Sequence, residues 1–114
     1  MNALARRAVA CKGWRWMPGM CGVVNASGGR TDRIMDESEA RLANTDLLPD
    51  LEDPATLGCL LALGREAWGD ATLFASTIDS ESGPRWMVAS DTGVFGVTWS
   101  TEAEALVAAL EAAP

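Results

Sequence analysis

The chain contains no histidine. That absence removes Ser-His-Asp triads, Cys-His pairs and histidine-bearing metal sites together. Tyrosine is missing too, so no phenol can serve as an acid or base. Cysteine is sparse and odd in number: Cys11, Cys21 and Cys59 are scattered, with no CxxC. Such a count argues against a disulfide framework and a structural zinc site. The thiols read as small buried apolar groups in a reducing compartment. No apolar run approaches the length of a membrane span. The opening stretch, MNALARRAVACKGW, lacks the continuous apolar core of a secretory signal, so a cytoplasmic protein is expected. Calcium-loop, phosphate-loop and GxSxG spacings are missing, as are repeats and low-complexity tracts. A carboxylate Mg²⁺ site is left open, but nothing calls for a cofactor.

What is present describes one domain. The length of 114 residues supports a single core, and an apolar fraction of 48% rules out wholesale disorder. Charge is unevenly placed. Residues 1–30 carry Arg6, Arg7, Lys12, Arg15 and Arg30 and no acid, whereas residues 31–114 carry four arginines against sixteen acids. The net charge of −7 repels phosphate at long range, so general nucleic-acid binding is disfavoured. The basic end could still hold one small anion. It could equally pack beside the acidic remainder of its own chain or of a second subunit.

The best-specified element is a helix over Asp53 to Gly69. Asp53 is a strong N-cap, Pro54 suits the first helical position, and Gly69 suits the left-handed position after the last turn. Leu57, Leu61, Gly64 and Trp68 recur at helical spacing, widened by Leu60, Leu63 and Ala67. Only Thr56, Arg65 and Glu66 are clearly polar within it. The rest is expected to pack around this helix.

Before it, residues 2–11 read as a short helix capped by Asn2, with Leu4, Ala8 and Cys11 on one face and Arg6 and Arg7 outward. Gly13 ends it. Trp14 and Trp16 alternate with Arg15 at strand period. Pro18-Gly19 is a turn dipeptide, and Met20 to Val24 is a second short strand. Together they predict a tight hairpin or a kinked strand. Residues 25–47 read as a mobile insertion or a loop with a surface helix over Asp32 to Ala43, its thin apolar face made of Ile34, Met35 and Leu42. Leu47, Leu48 and Leu51 then lead back to the core.

After the central helix, Thr72–Ile78, Arg85–Ser90 and Val94–Trp99 have strand composition. The loops DSESGP and DTG separate them. They predict a three-stranded meander. Thr101 and Glu104 form a capping box for a last helix buried through Leu106, Val107 and Leu110. The fold expected is α+β: an antiparallel sheet, made of the N-terminal hairpin and the meander, packed with central, N-terminal and C-terminal helices.

One constellation carries chemistry. In Lys12, Gly13, Trp14, Arg15 and Trp16, an indole offers a flat face to a purine and arginine a planar donor to phosphate. Stacking of this kind is typically worth roughly 1–3 kcal/mol per base. Gly13 would admit a ligand close to the backbone. Alternation sets both indoles on one face and Arg15 on the other, which also fits two core tryptophans with an exposed arginine. Trp68, Trp86 and Trp99 lie in helix or strand patterns and read as core or subunit interface. Asp36, Glu37 and Glu39 read as a solvated charge run.

Three blocks resemble small uncharacterised phage and prophage accessory proteins: ARRAVACKGWRWMPGM (Ala5–Met20), LPDLEDPATLGCLLALGREAWGD (Leu48–Asp70) and TEAEALVAALEAAP (Thr101–Pro114). The layout is also similar to the phage sandwich domain, a sheet between helices. Within similar sequences Gly64 stands where a larger apolar residue is expected, leaving room for a neighbouring side chain. Lys12, Gly13-Trp14 and Gly19-Met20 are loosely similar to phage proteins that sequester the nucleotide signal of Thoeris immunity, at a different spacing. The resemblance implies a phage accessory protein with no assigned activity; with no catalytic set in the residues, a non-enzymatic protein of the host cytoplasm, as a monomer or a homo-oligomer, is expected. It would bind a nucleotide-like host signal at Lys12–Trp16. The alternative is an inhibitor that meets a host protein through its acidic surface, Asp32 to Asp53 in particular. An enzyme would need catalytic carboxylates alone, and no pair is placed for that work.

Overall fold

The computed structural model describes residues 2–24, 31–42, 47–94 and 97–114. Helix α1 spans Asn2–Val9 and buries Ala5 and Ala8, while Arg6 and Arg7 face outward as their spacing predicts. The chain then turns through Cys11 and Lys12. At Gly13 it runs so close to two helices that a Cβ would lie 3.1 Å from both Ala67 Cβ and Leu110 Cδ1. The Pro18-Gly19 turn forms as read: Gly19 has φ 98°, and Met20 N–H donates to Met17 O at 3.2 Å.

The hairpin expected on that turn does not form. Residues 14–17 make no ladder. Strand β1 (Cys21–Val24) instead pairs antiparallel with β2 (Thr31–Arg33) on one side and β3 (Leu47–Pro49) on the other. The β1–β2 pairing continues past the strand end, with Gly19 N–H donating to Ile34 O and Ile34 N–H to Met20 O. Both edges of β1 are therefore filled from downstream, leaving no place for the tryptophan segment. The surface helix is also shorter than read. Residues 31–33 belong to β2, so α2 spans Glu37–Leu42, and Asp36 rather than Asp32 caps it by accepting from Glu39 N–H at 2.9 Å. The Asn2 cap, the loop at Asn25–Arg30, the helix end at Ala43 and the middle of the last strand lie outside the described residues or side chains.

Helix α3 (Pro54–Trp68) begins and ends where its caps place it. Asp53 accepts from Thr56 N–H, and Gly69 closes the last turn in the left-handed region at φ 62°. Its buried face is rotated from the one read. Thr56, Leu60, Leu63 and Gly64 are the buried positions, with Leu57 and Leu61 at its margin. The space at Gly64 is used by Leu73, whose Cδ2 would lie 3.2 Å from a Cβ there.

The meander follows as a second, separate sheet. Strands β4 (Phe74–Ser80) and β5 (Gly83–Ser90) pair along their whole length across a two-residue turn. β6 is described over Gly93–Val94, and Trp86 and Trp99 form a further antiparallel bridge. Helix α4 (Glu102–Glu111) starts at the Thr101 cap, whose Oγ1 accepts from Glu104 N–H at 3.1 Å. The returning half of the box goes to the Thr101 hydroxyl, which donates to Glu104 Oε1 at 3.0 Å. Helix α4 packs on α1 and α3 and covers one face of the second sheet. Six of its ten residues are buried, so it shares the centre with α3. The α+β class with antiparallel sheets thus stands, as two small sheets instead of one. No helix among the described residues is long and apolar enough to cross a membrane.

Candidate functional site

The five residues read as a ligand platform divide between packing and surface. Gly13 is used by the close approach of α3 and α4. Trp14 and Trp16 are half-buried against the core, with ring centroids 5.4 Å apart at an interplanar angle of 80°. The edge of one ring meets the face of the other, a stable indole pair that leaves no slot between them for a base. Arg15 points to α3, where its Nη1 donates to Glu66 Oε2 at 2.7 Å. The structure therefore brings the two indoles together and takes the arginine away. Lys12 is exposed and has no ion-pair partner among the described residues.

Lys12 lies on a groove of about 500 Å³ between the end of α1 and the end of α4. Arg7, Cys11, Ala67, Leu110 and Glu111 line it too. Its other cation is already neutralised. Arg7 holds Glu111 through Nη2–Oε1 at 2.6 Å and Nε–Oε2 at 3.1 Å. This forked bond depresses the Glu111 carboxyl and raises the Arg7 guanidinium. The Cys11 thiol donates to Arg7 O, and burial pushes its pKa up, so it is no ready thiolate. The carbonyl end of α4 adds partial negative charge. The groove thus offers an anion one lysine against a carboxylate and a helix C-terminus. Of the basic end, Arg7 and Arg15 pair with the chain's own acids.

The acidic stretch is more organised than its composition suggests. Ile34 and Ala40 are buried, and between them Met35 stands 70% exposed. Met35 N–H donates to Glu39 Oε2 at 3.2 Å, while Asp36 caps the same short helix. Two carboxylates are spent holding the backbone, and Asp36, Glu37 and Glu39 are all exposed around the methionine. The sequence signal was the Ile34-Met35 pair: neighbours in an extended chain face opposite ways, so only one can be buried.

The largest carboxylate perturbation is structural. Asp53 accepts from Arg33 Nη1 and Nη2 at 3.1 and 2.8 Å, and from Thr56 N–H and Oγ1. The Arg33 guanidinium, with help from Thr56, holds its pKa down at about 2. Such a group stays ionised and serves poorly as a general base. Cys59 is pushed up by burial. Among the described residues no group of three His, Cys, Asp or Glu side chains could hold a metal ion. Comparisons of the chain with protein-family models, curated proteins and solved structures give no match.

Proposed function

We propose that this chain is a small non-enzymatic phage accessory protein that inhibits a host protein by binding it through its acidic surface. The observation that carries the reading is Met35, a large apolar side chain 70% exposed among Asp36, Glu37 and Glu39. An exposed flexible apolar residue followed in the chain by three exposed acids suits a partner with a shallow apolar pocket and a basic rim. Backbone hydrogen bonds fix the segment before contact, which lowers the ordering cost of binding. The phage assignment rests on the resemblance of Ala5–Met20, Leu48–Asp70 and Thr101–Pro114 to phage accessory proteins. The test is retention of a host protein on the immobilised chain. Retention should fall as salt rises from about 50 mM to about 500 mM, because rim charges are screened. It should fall at least tenfold in Met35→Ala and Glu37→Lys. A partner retained equally by both variants would sink the reading.

Sequestering a nucleotide-like host signal is the second reading, and Lys12 favours it as the unpaired cation on a groove of about 500 Å³. A thermal-shift panel of cyclic and ADP-ribose-type nucleotides tests it. A ligand at a hundred times its Kd should add roughly 2.7 kcal/mol, a clear rise in Tm. A flat panel ends this reading.

A further inference from the structure

Strand β4 is the edge of the second sheet, and its open side is built for another strand. Trp86 N–H donates to Trp99 O at 2.7 Å, and Trp99 N–H to Trp86 O at 2.8 Å. The backbone groups of Trp86 therefore point away from β4. Thr77 lies opposite Trp86, so in an antiparallel ladder its own N–H and C=O must point away from β5 as well. The two-residue turn agrees: Ser80 and Gly83 close the ladder, and Ile78, Ser76 and Phe74 follow Ser80 in bonding β5. Ala75, Thr77 and Asp79 thus offer their backbone groups to the open edge. No described strand pairs with that side.

Natural edges carry lysine, proline or a bulge against unwanted pairing. FASTIDS has none of these, and Asp79 is its only charge. Its outer face is also apolar. Ala75 packs inward against the core with Val88, so Phe74, Ser76 and Ile78 alternate to the opposite face. Phe74 is 42% and Ile78 40% exposed.

We infer that β4 pairs antiparallel with β4 of a second copy of this chain, about a two-fold axis at Thr77. In that register Thr77 faces the partner's Thr77, and Ala75 faces the partner's Asp79. Every outward N–H and C=O of these residues then finds a mate, since each facing pair exchanges two bonds. On the outer face Ile78 has the partner's Ile78 and the partner's Phe74 as diagonal neighbours, so the exposed apolar groups form one row across the axis. Charge decides between registers. The two Asp79 carboxylates lie four residues apart along the paired strands, about 13 Å, which is beyond the Debye length of about 8 Å at physiological salt. A seven-residue ladder is about 23 Å long, a small contact by the standard of permanent dimers, so the association is weak and concentration-dependent. Two chains of charge −7 repel at long range, so salt strengthens this contact. The host-protein contact proposed above weakens in salt, so the two fail separately.

Sedimentation of the full chain from about 10 μM to about 1 mM tests the dimer. The mass should rise from 12.0 kDa toward twice that value, and rise further with added salt. Thr77→Pro removes an outward N–H that makes no bond to β5, at the cost of fixing φ there, and Ile78→Lys sets like charges beside the axis. Each should weaken association at least tenfold. Amide exchange gives a second readout that does not depend on the variants folding. With concentration, Ala75, Thr77 and Asp79 should become protected, while Ser76 and Ile78, already bonded to β5, change little. A 12.0 kDa mass throughout overturns the inference. So does association that both folded variants retain, that salt weakens, or that protects no edge amide. Protection of that edge only by an extended host segment would likewise replace the second copy.

Discussion

The buried hydroxyl of Thr56 donates to Asp53 Oδ2 at 2.9 Å and accepts Cys21 N–H at 2.8 Å. One side chain thereby joins the first turn of α3 to the central strand of the first sheet. Thr56 is fully buried, so water cannot replace either bond. Thr56→Val keeps the shape and removes the buried oxygen that accepts Cys21 N–H. That should cost about 2–3 kcal/mol in chemical denaturation. Thr56→Ser keeps the hydroxyl and should cost about 1 kcal/mol, mainly for the lost methyl.

The same cluster sets an acid limit. Asp53 has its pKa lowered from 3.8 to about 2 by Arg33 and Thr56. A depressed carboxylate stabilises the fold above its unfolded pKa, and that contribution disappears as pH falls through the folded one. The Asp53 contribution is therefore complete above about pH 4 and lost toward about pH 2. Its size should be on the order of 1 kcal/mol, since Arg33 is 43% exposed and partly screened. Asp53→Asn keeps a good N-cap and removes the charge. Stability curves of the two proteins should converge over that window. A constant gap from pH 6 to pH 2 would show that the ion pair does not contribute.

Those curves bear on elements that were plain in the sequence, and the contrast with the rest is physical. Asp53, Pro54, Gly69, the Pro18-Gly19 turn and Thr101 all act within four residues of themselves, so local chemistry settles them. The sheet containing β1 is different. Its register joins Gly22 to Asp32 and to Pro49, and no local pattern encodes those distances. Trp14 and Trp16 misled because alternation also arises in an extended segment that packs both rings on a core without any ladder. The sheet edge at β4 was visible as strand composition, but which of its backbone groups face outward follows only from the Trp86–Trp99 bridge. The side-chain chemistry of Lys12 to Trp16 was legible in the sequence, but how the fold distributes those five residues was not. The use of Gly13 by Ala67 and Leu110 and the loss of Arg15 to Glu66 depend on helices more than fifty residues away.

Gly13 should tolerate little. A methyl there would lie 3.1 Å from Ala67 Cβ, which its helix holds in place, and 3.1 Å from Leu110 Cδ1, which can swing. Gly13→Ala should cost about 1 kcal/mol and Gly13→Val about 2–3 kcal/mol, as overpacking does. Thermal melts would read this directly. In a double-mutant cycle Gly13→Ala should cost less in the Ala67→Gly background than in the parent, because the rigid neighbour is then gone, even though the helix glycine itself costs about 1 kcal/mol. Equal cost in both backgrounds would place the strain on Leu110 and not on the contact with α3.

Arg15 and Lys12 separate the two functional readings. Arg15 and Glu66 are 51% and 56% exposed, and exposed pairs contribute about 0–1 kcal/mol. Arg15→Ala should therefore lower Tm by no more than about 2–4 °C. A nucleotide held at the groove would need Lys12, because Arg7 is committed to Glu111. Any thermal shift from an anionic ligand should then vanish in Lys12→Ala and survive in Arg15→Ala. The reverse pattern would put the ligand at Arg15, which would first have to leave Glu66, and a purine would have to separate two rings now in edge contact. Loss in neither variant would place such a ligand outside Lys12–Trp16 altogether.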